Sequence, residues 1–169
     1  MKEKIELVDF NHFLEKFPEV ELPVTLGEDT HLDFSRENSP LPIPMIAQHI
    51  MKAESGDMDE FMEFIPCFKI PETFEMHAIV YWKAGLMDYQ YVLATFTKKG
   101  QLIDRRVIGG IYSDGQNITQ SVVTIDTDWL IYIATGQSDA ADNLGYDPST
   151  SKTIELELLA DGRIINEID

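Results

Sequence analysis

The chain has 169 residues, of which 44% are hydrophobic and 10% aromatic, and it carries a formal net charge of −17. This is enough apolar material for one well-buried core, so a single domain spanning 1–169 is expected, and disorder is excluded as its general state. The acidic excess argues against a nucleic-acid partner or an anionic membrane surface, because binding to phosphates draws on Lys and Arg.

In chain order, Asp9 is placed to cap a short helix whose Phe10, Phe13, Leu14 and Phe17 form one apolar stripe, ended by Pro18. Leu22–Leu26 reads as a short extended piece, and the polar stretch from Gly27 to Ser39 reads as a long loop. Pro40, Pro42 and Pro44 forbid regular helix until the last of them, which can occupy the first turn of a second helix through Met45, Ile46, His49 and Ile50.

After Gly56 the pattern changes to β. Phe64–Ile70 is a strand that Pro66 and Pro71 push toward a sheet edge. Met76–Trp82 and Tyr89–Thr97 are rich in β-branched and aromatic residues, and the second is apolar on nearly both faces, as a central strand should be. Further strands are expected at about 101–112, 117–125, 129–135, 153–159 and 163–168. Lys99-Gly100, Asp114-Gly115, Asp126–Asp128 and Asp161-Gly162 supply the turns between them. Turns this short join antiparallel neighbours. The expected fold is α+β: an antiparallel meander of six to eight strands, strongly twisted or partly closed, with two N-terminal helices packed on it. Residues 1–60 form its helical and loop part and residues 61–169 its sheet.

Charge is distributed unevenly along this plan. Residues 1–75 hold 17 acids against 6 bases, residues 76–136 hold 5 against 5, and residues 137–169 hold 8 against 2. The densest run is Glu54, Asp57, Asp59, Glu60 and Glu63, with Met58, Phe61 and Met62 among them. Carboxylates steer a basic partner while Met and Phe supply affinity, so this run is the expected partner-binding surface, of the kind an antagonist or immunity-type protein would present. The bland alternative is a solvated linker.

No catalytic motif is present: there is no G-x-S-x-G, no P-loop and no G-x-G-x-x-G, and a non-catalytic role is expected. Cys67, the only cysteine, lies in a strand as a buried thiol, which rules out an intrachain disulfide and a thiolate zinc site. Asp139, Asp142, Asn143 and Asp147 offer oxygen ligands, but their spacing is not that of a calcium loop. His12, His31, His49 and His77 form no paired motif; only His31 has near acids, Asp29 and Asp33. No metal or other cofactor is expected. Gly109-Gly110 marks a bulge or a close backbone approach.

Aromatic residues carry the alternative function. Tyr81, Trp82, Tyr89, Tyr91 and Trp129 fall on the meander, and several on one concave face would line a small-ligand site or a weakly marked hydrolase pocket. Lys2 and Lys4 have no apolar run behind them, so a cytoplasmic location is expected. The segments Phe17–Leu26 and Tyr81–Phe96 resemble stretches in small uncharacterised proteins of Bacteroidetes-type bacteria. That resemblance implies no activity and no site residue.

Overall fold

Nine strands form the framework of the fold in the computed structural model, which describes residues 7–54, 62–85, 88–139 and 147–167. They are β1 (Val24–Leu26), β2 (Glu63–Lys69), β3 (Met76–Ala84), β4 (Asp88–Thr97), β5 (Leu102–Ser113), β6 (Asn117–Ile125), β7 (Leu130–Asp139), β8 (Asp147–Leu158) and β9 (Ile164–Asn166). All pair antiparallel in the order β2-β3-β4-β5-β6-β7-β8-β9, with β1 added to β6. Local chemistry dictates this meander. At the β5–β6 turn, Asp114 Oδ1 accepts the N–H groups of Gln116 and Asn117 at 2.8 and 2.7 Å, which holds its carboxyl below the usual range. At the β8–β9 turn, Asp161 accepts the Arg163 N–H at 3.0 Å beside Gly162, whose φ is +97°.

The strand count exceeds the expected six to eight, and the sheet is not closed. The additional strand is β1, Val24–Leu26, the end of the extended piece expected over Leu22–Leu26, which becomes a strand by pairing with β6. It finds that partner because β5 bends away. β5 pairs with β6 only over Gly110–Ser113, and β1 takes the edge of Val123–Ile125 that β5 leaves open. At the far end, β9 reaches β5 through side chains instead of a ladder. Asp104 Oδ2 accepts the Ile164 N–H at 2.8 Å, and Arg106 donates to Asn166 Oδ1 and the Ile164 carbonyl at 2.8 and 3.2 Å.

Strand alternation then sorts the core into two layers. Ala78, Val80, Trp82, Tyr91 and Leu93 face Ile108, Val123, Ile131, Ile133, Leu156 and Leu158 from the other half of the sheet. Ile79, Tyr81, Val92, Ala94 and Phe96, on the opposite face of β3 and β4, form a second cluster with residues of the N-terminal part. These come from α1 (Phe10–Leu14) and from a continuous helical stretch. The stretch comprises α3 (Ile43–Met45), a π-turn (Ile46–Ile50) and α4 (Met51–Ala53). Asp9 caps α1 through the Asn11 N–H at 2.8 Å, and Pro44 sits in the first turn of α3. One expectation fails in this region: Thr30–Glu37, inside the polar stretch read as loop, is helix α2. It has few apolar residues; among them Phe34 packs its ring 5.7 Å from that of Phe68.

β2 is an edge strand, bulged between Pro66 and Phe68, and its open edge is blunted. Asn38 Nδ2 donates to the Pro66 and Cys67 carbonyls at 2.7 and 2.9 Å, and the Lys69 N–H donates to the Pro18 carbonyl at 2.8 Å. Among the described residues, no helix is long and apolar enough to cross a membrane.

The helical layer contains a titratable weak point. His49 is buried, with Nε2 2.8 Å from the Val8 carbonyl, so this nitrogen carries the ring proton and Nδ1 accepts from Lys52 Nζ at 3.3 Å. Burial, together with the Lys52 ammonium, lowers its pKa below the ordinary histidine value, against the opposing pull of the Val8 carbonyl and Asp9. His77 is lowered as well, by burial and by Lys98 and Lys69. In the window below about pH 6.5 the unfolded chain therefore binds more protons than the folded one. Stability is complete above that pH and falls as the pH drops. The urea midpoint should be lower at pH 5.5 than at pH 7.5, and His49→Gln should flatten the dependence; equal midpoints for the native chain would refute the assignment.

Candidate functional site

Cross-strand register assembles an aromatic shelf at one end of the sheet. Trp82 on β3 lies opposite Tyr91 on β4, with Tyr89 two residues away on the same face. The Trp82 and Tyr91 centroids are 4.6 Å apart, and the Trp82 and Tyr89 rings lie 5.7 Å apart and within 8° of parallel. The chain leaving β1 folds over them. Gly27 donates its N–H to Thr30 Oγ1 at 2.8 Å, and its carbonyl accepts from the Tyr91 hydroxyl at 3.4 Å, which sets the start of α2 above β3. His31, in the first turn of that helix, stacks on Trp82 at 4.3 Å and 9°. Its Nδ1 lies 3.0 Å from the Glu28 carbonyl.

The result is a recess of about 170 Å³ lined by Glu28, Asp29, His31, Trp82, Tyr89 and Ile111. Its parts differ in what they offer a ligand. Trp82 is 3% exposed and serves as foundation, whereas Tyr89 is 41% exposed and presents its ring to solvent. Glu28 and Asp29 are exposed at the rim. The Tyr91 hydroxyl is pushed up in pKa, first by burial, and remains a neutral donor. An aromatic face beside carboxylates is the arrangement that attracts a cation: ring quadrupole and charge act in the same direction.

The other residues singled out in the sequence lie elsewhere. Tyr81 points to the opposite face of β3, in the cluster with the helices, and its hydroxyl donates to Glu54 Oε1 at 3.1 Å. Trp129 sits in the β6–β7 turn, donates its N–H to the Asp126 carbonyl at 3.0 Å and is partly buried against the main core. Glu54 is not free for a partner: its side chain is 5% exposed and ion-paired to Arg105 at 2.8 Å and Lys83 at 3.5 Å. Glu63 is exposed at the start of β2, opposite Ala84. Asp57, Asp59 and Glu60 lie outside the described residues, as do Asp142 and Asn143. Asp139 ends β7 and Asp147 begins β8, opposite Gln137. Among the described residues, no group of three or more His, Cys, Asp or Glu side chains could hold a metal ion. Cys67 is buried, which raises its pKa and leaves it a neutral thiol.

Sequence reasoning passed over Glu28, Asp29 and Ile111 as site residues and noted His31 only for its acidic neighbours. A signal for the segment existed, since Thr30 followed by Asp33 is a helix-start pattern. Its contact with Trp82, fifty-one positions later in the chain, had none. No protein-family model, curated protein or solved structure matches the chain.

Proposed function

We propose that the protein is a non-catalytic recognition domain that binds a cationic group on the Trp82–Tyr89 shelf. The observation that carries this reading is the exposed Tyr89 ring, stacked beside Trp82, which also stacks on His31, with the Glu28 and Asp29 carboxylates lining the same recess. An ammonium or guanidinium group placed over Tyr89 exchanges part of its hydration for the ring face and two nearby negative charges. The net charge of −17 works in the same direction at long range and speeds the encounter. Two sources supply such a group: a basic side chain of a partner protein, or a free organic cation.

A calorimetric titration with two arms, a hexa-arginine peptide and tetramethylammonium, distinguishes them. Binding of the peptide alone assigns a basic partner, and binding of tetramethylammonium assigns a small cation. In either arm, Tyr89→Ala should weaken binding by about fivefold, the value of one partly exposed cation–π contact. Glu28→Gln with Asp29→Asn should weaken it and reduce its dependence on salt. Affinity for both probes unchanged by Tyr89→Ala would sink the proposal.

A further inference from the structure

The shelf continues past Tyr89. Tyr89 and Ile111 also form one wall of a second groove, of about 250 Å³, which extends across β5, β6 and β7 to Ile154 on β8. Its origin is the bend of β5. Ladder pairing to β6 covers only Gly110–Ser113, and Gly109 and Gly110, which line the groove, bring no side chains to fill it. The open sheet therefore leaves apolar surface unmatched, with Ile154 46% and Val107 38% exposed. The polar side chains there are uncharged: Gln90, Tyr112 and Thr119 line it, and Ser121 and Thr135 hydrogen-bond each other at 2.9 Å, so covering them leaves that pair satisfied. Among the described residues, no charged side chain lines this groove.

Two adjoining recesses thus share a wall and differ in chemistry: carboxylates and a ring face at one end, neutral apolar surface at the other. We infer that the site takes an amphiphilic organic cation, with its ammonium head on Tyr89 between Glu28 and Asp29 and a short alkyl or aryl chain laid past Ile111 along Ile133 and Ile154. The inference rests on the reading of the shelf given above and adds the class of ligand. Charge fixes the orientation and the sign: an anionic amphiphile of the same length meets Glu28 and Asp29 with like charge, and a bare cation leaves the groove uncovered.

The test is calorimetric titration of the full chain with tetramethylammonium, butyltrimethylammonium and hexyltrimethylammonium, with hexanoate as the anionic control. Affinity should rise about fourfold for each methylene added, as expected for transfer of a CH₂ group from water, and hexanoate should not bind. Ile154→Lys, at an exposed position that tolerates a polar residue, should abolish the gain with chain length and keep the tetramethylammonium response. Tyr89→Ala should weaken all three cations. Affinity independent of chain length, or a chain-length gain that survives Ile154→Lys, would overturn this inference and leave the shelf reading standing. Failure of every cation to respond to Tyr89→Ala would overturn both, and equal binding of hexanoate would overturn the charge selection on which both depend.

Discussion

Replacing Gly110 with alanine is expected to destabilise the protein by about 4 kcal/mol or more, the range reached when a backbone conformation and a steric overlap fail together. Gly110 has φ +135°, which side-chain-bearing residues rarely adopt, and a Cβ built there overlaps the Tyr89 carbonyl oxygen and crowds Gln90 Cα. The neighbouring atoms are backbone, so no rotamer change relieves the clash. The position pairs with Gln90 and lies two residues from Ile108, which is left unpaired where the β4–β5 register shifts between Tyr91 and Val92. Any backbone shift that accommodates the methyl must move Tyr89, so the shelf should fail along with the fold. Gly115→Ala is the control. Its φ is +96° but nothing lies within 4 Å of a Cβ there, and the expected loss is about 1 kcal/mol. Chemical denaturation of both variants measures the difference; similar small losses would show that the backbone around Gly110 relaxes freely.

Glu54→Ala is the second large effect, expected to destabilise by about 3 kcal/mol. The Glu54 carboxylate follows α4 and takes both contacts of Arg105 Nη2, at 2.8 and 3.1 Å, together with the Tyr81 hydroxyl and Lys83. It fastens the end of the helical stretch to β3 and β5. Removing it strands Arg105 and Tyr81, whose hydroxyl is already raised in pKa by burial and then by Glu54 itself. The estimate sits at the low end of the range for buried pairs because Arg105 and Lys83 keep 27% and 18% of their side-chain surface in solvent. Arg105→Met should therefore cost clearly less in the Glu54→Ala background than in the native chain, with a coupling of about 1–2 kcal/mol. Additive losses would mean that the two groups stabilise the fold independently.

This cluster also shows where sequence reading reaches its limit. As part of an acidic run, Glu54 looks like Asp57 or Glu60: a carboxylate on a polar segment. What fixes its role is Arg105, fifty-one residues later on β5, and no local pattern connects the two. The same separation hid the candidate site. Trp82, Tyr89 and Tyr91 were legible as a group because alternation and hairpin register put them on one face, but Tyr81 and Trp129 were grouped with them, and only the structure placed Tyr81 on the opposite face of β3. His31, Glu28 and Asp29 were not, because a polar segment gives no sign of the strand it will cross.

What the sequence determined by itself is whatever neighbouring residues decide. Asp-Gly turns closed the hairpins, β-branched and aromatic alternation placed the long strands, Asp9 and Pro44 opened helices, and Pro66 marked an edge. Those features depend on backbone dihedrals and on side-chain period, which a few residues set on their own. Only the tertiary structure decided that the sheet stays open, that Val24–Leu26 joins β6 ninety-nine positions away, and that helix α2 seats His31 on Trp82. Each of these depends on which buried surface and which unpaired edge are left over once the local elements have formed, and that remainder is a property of the whole packed chain.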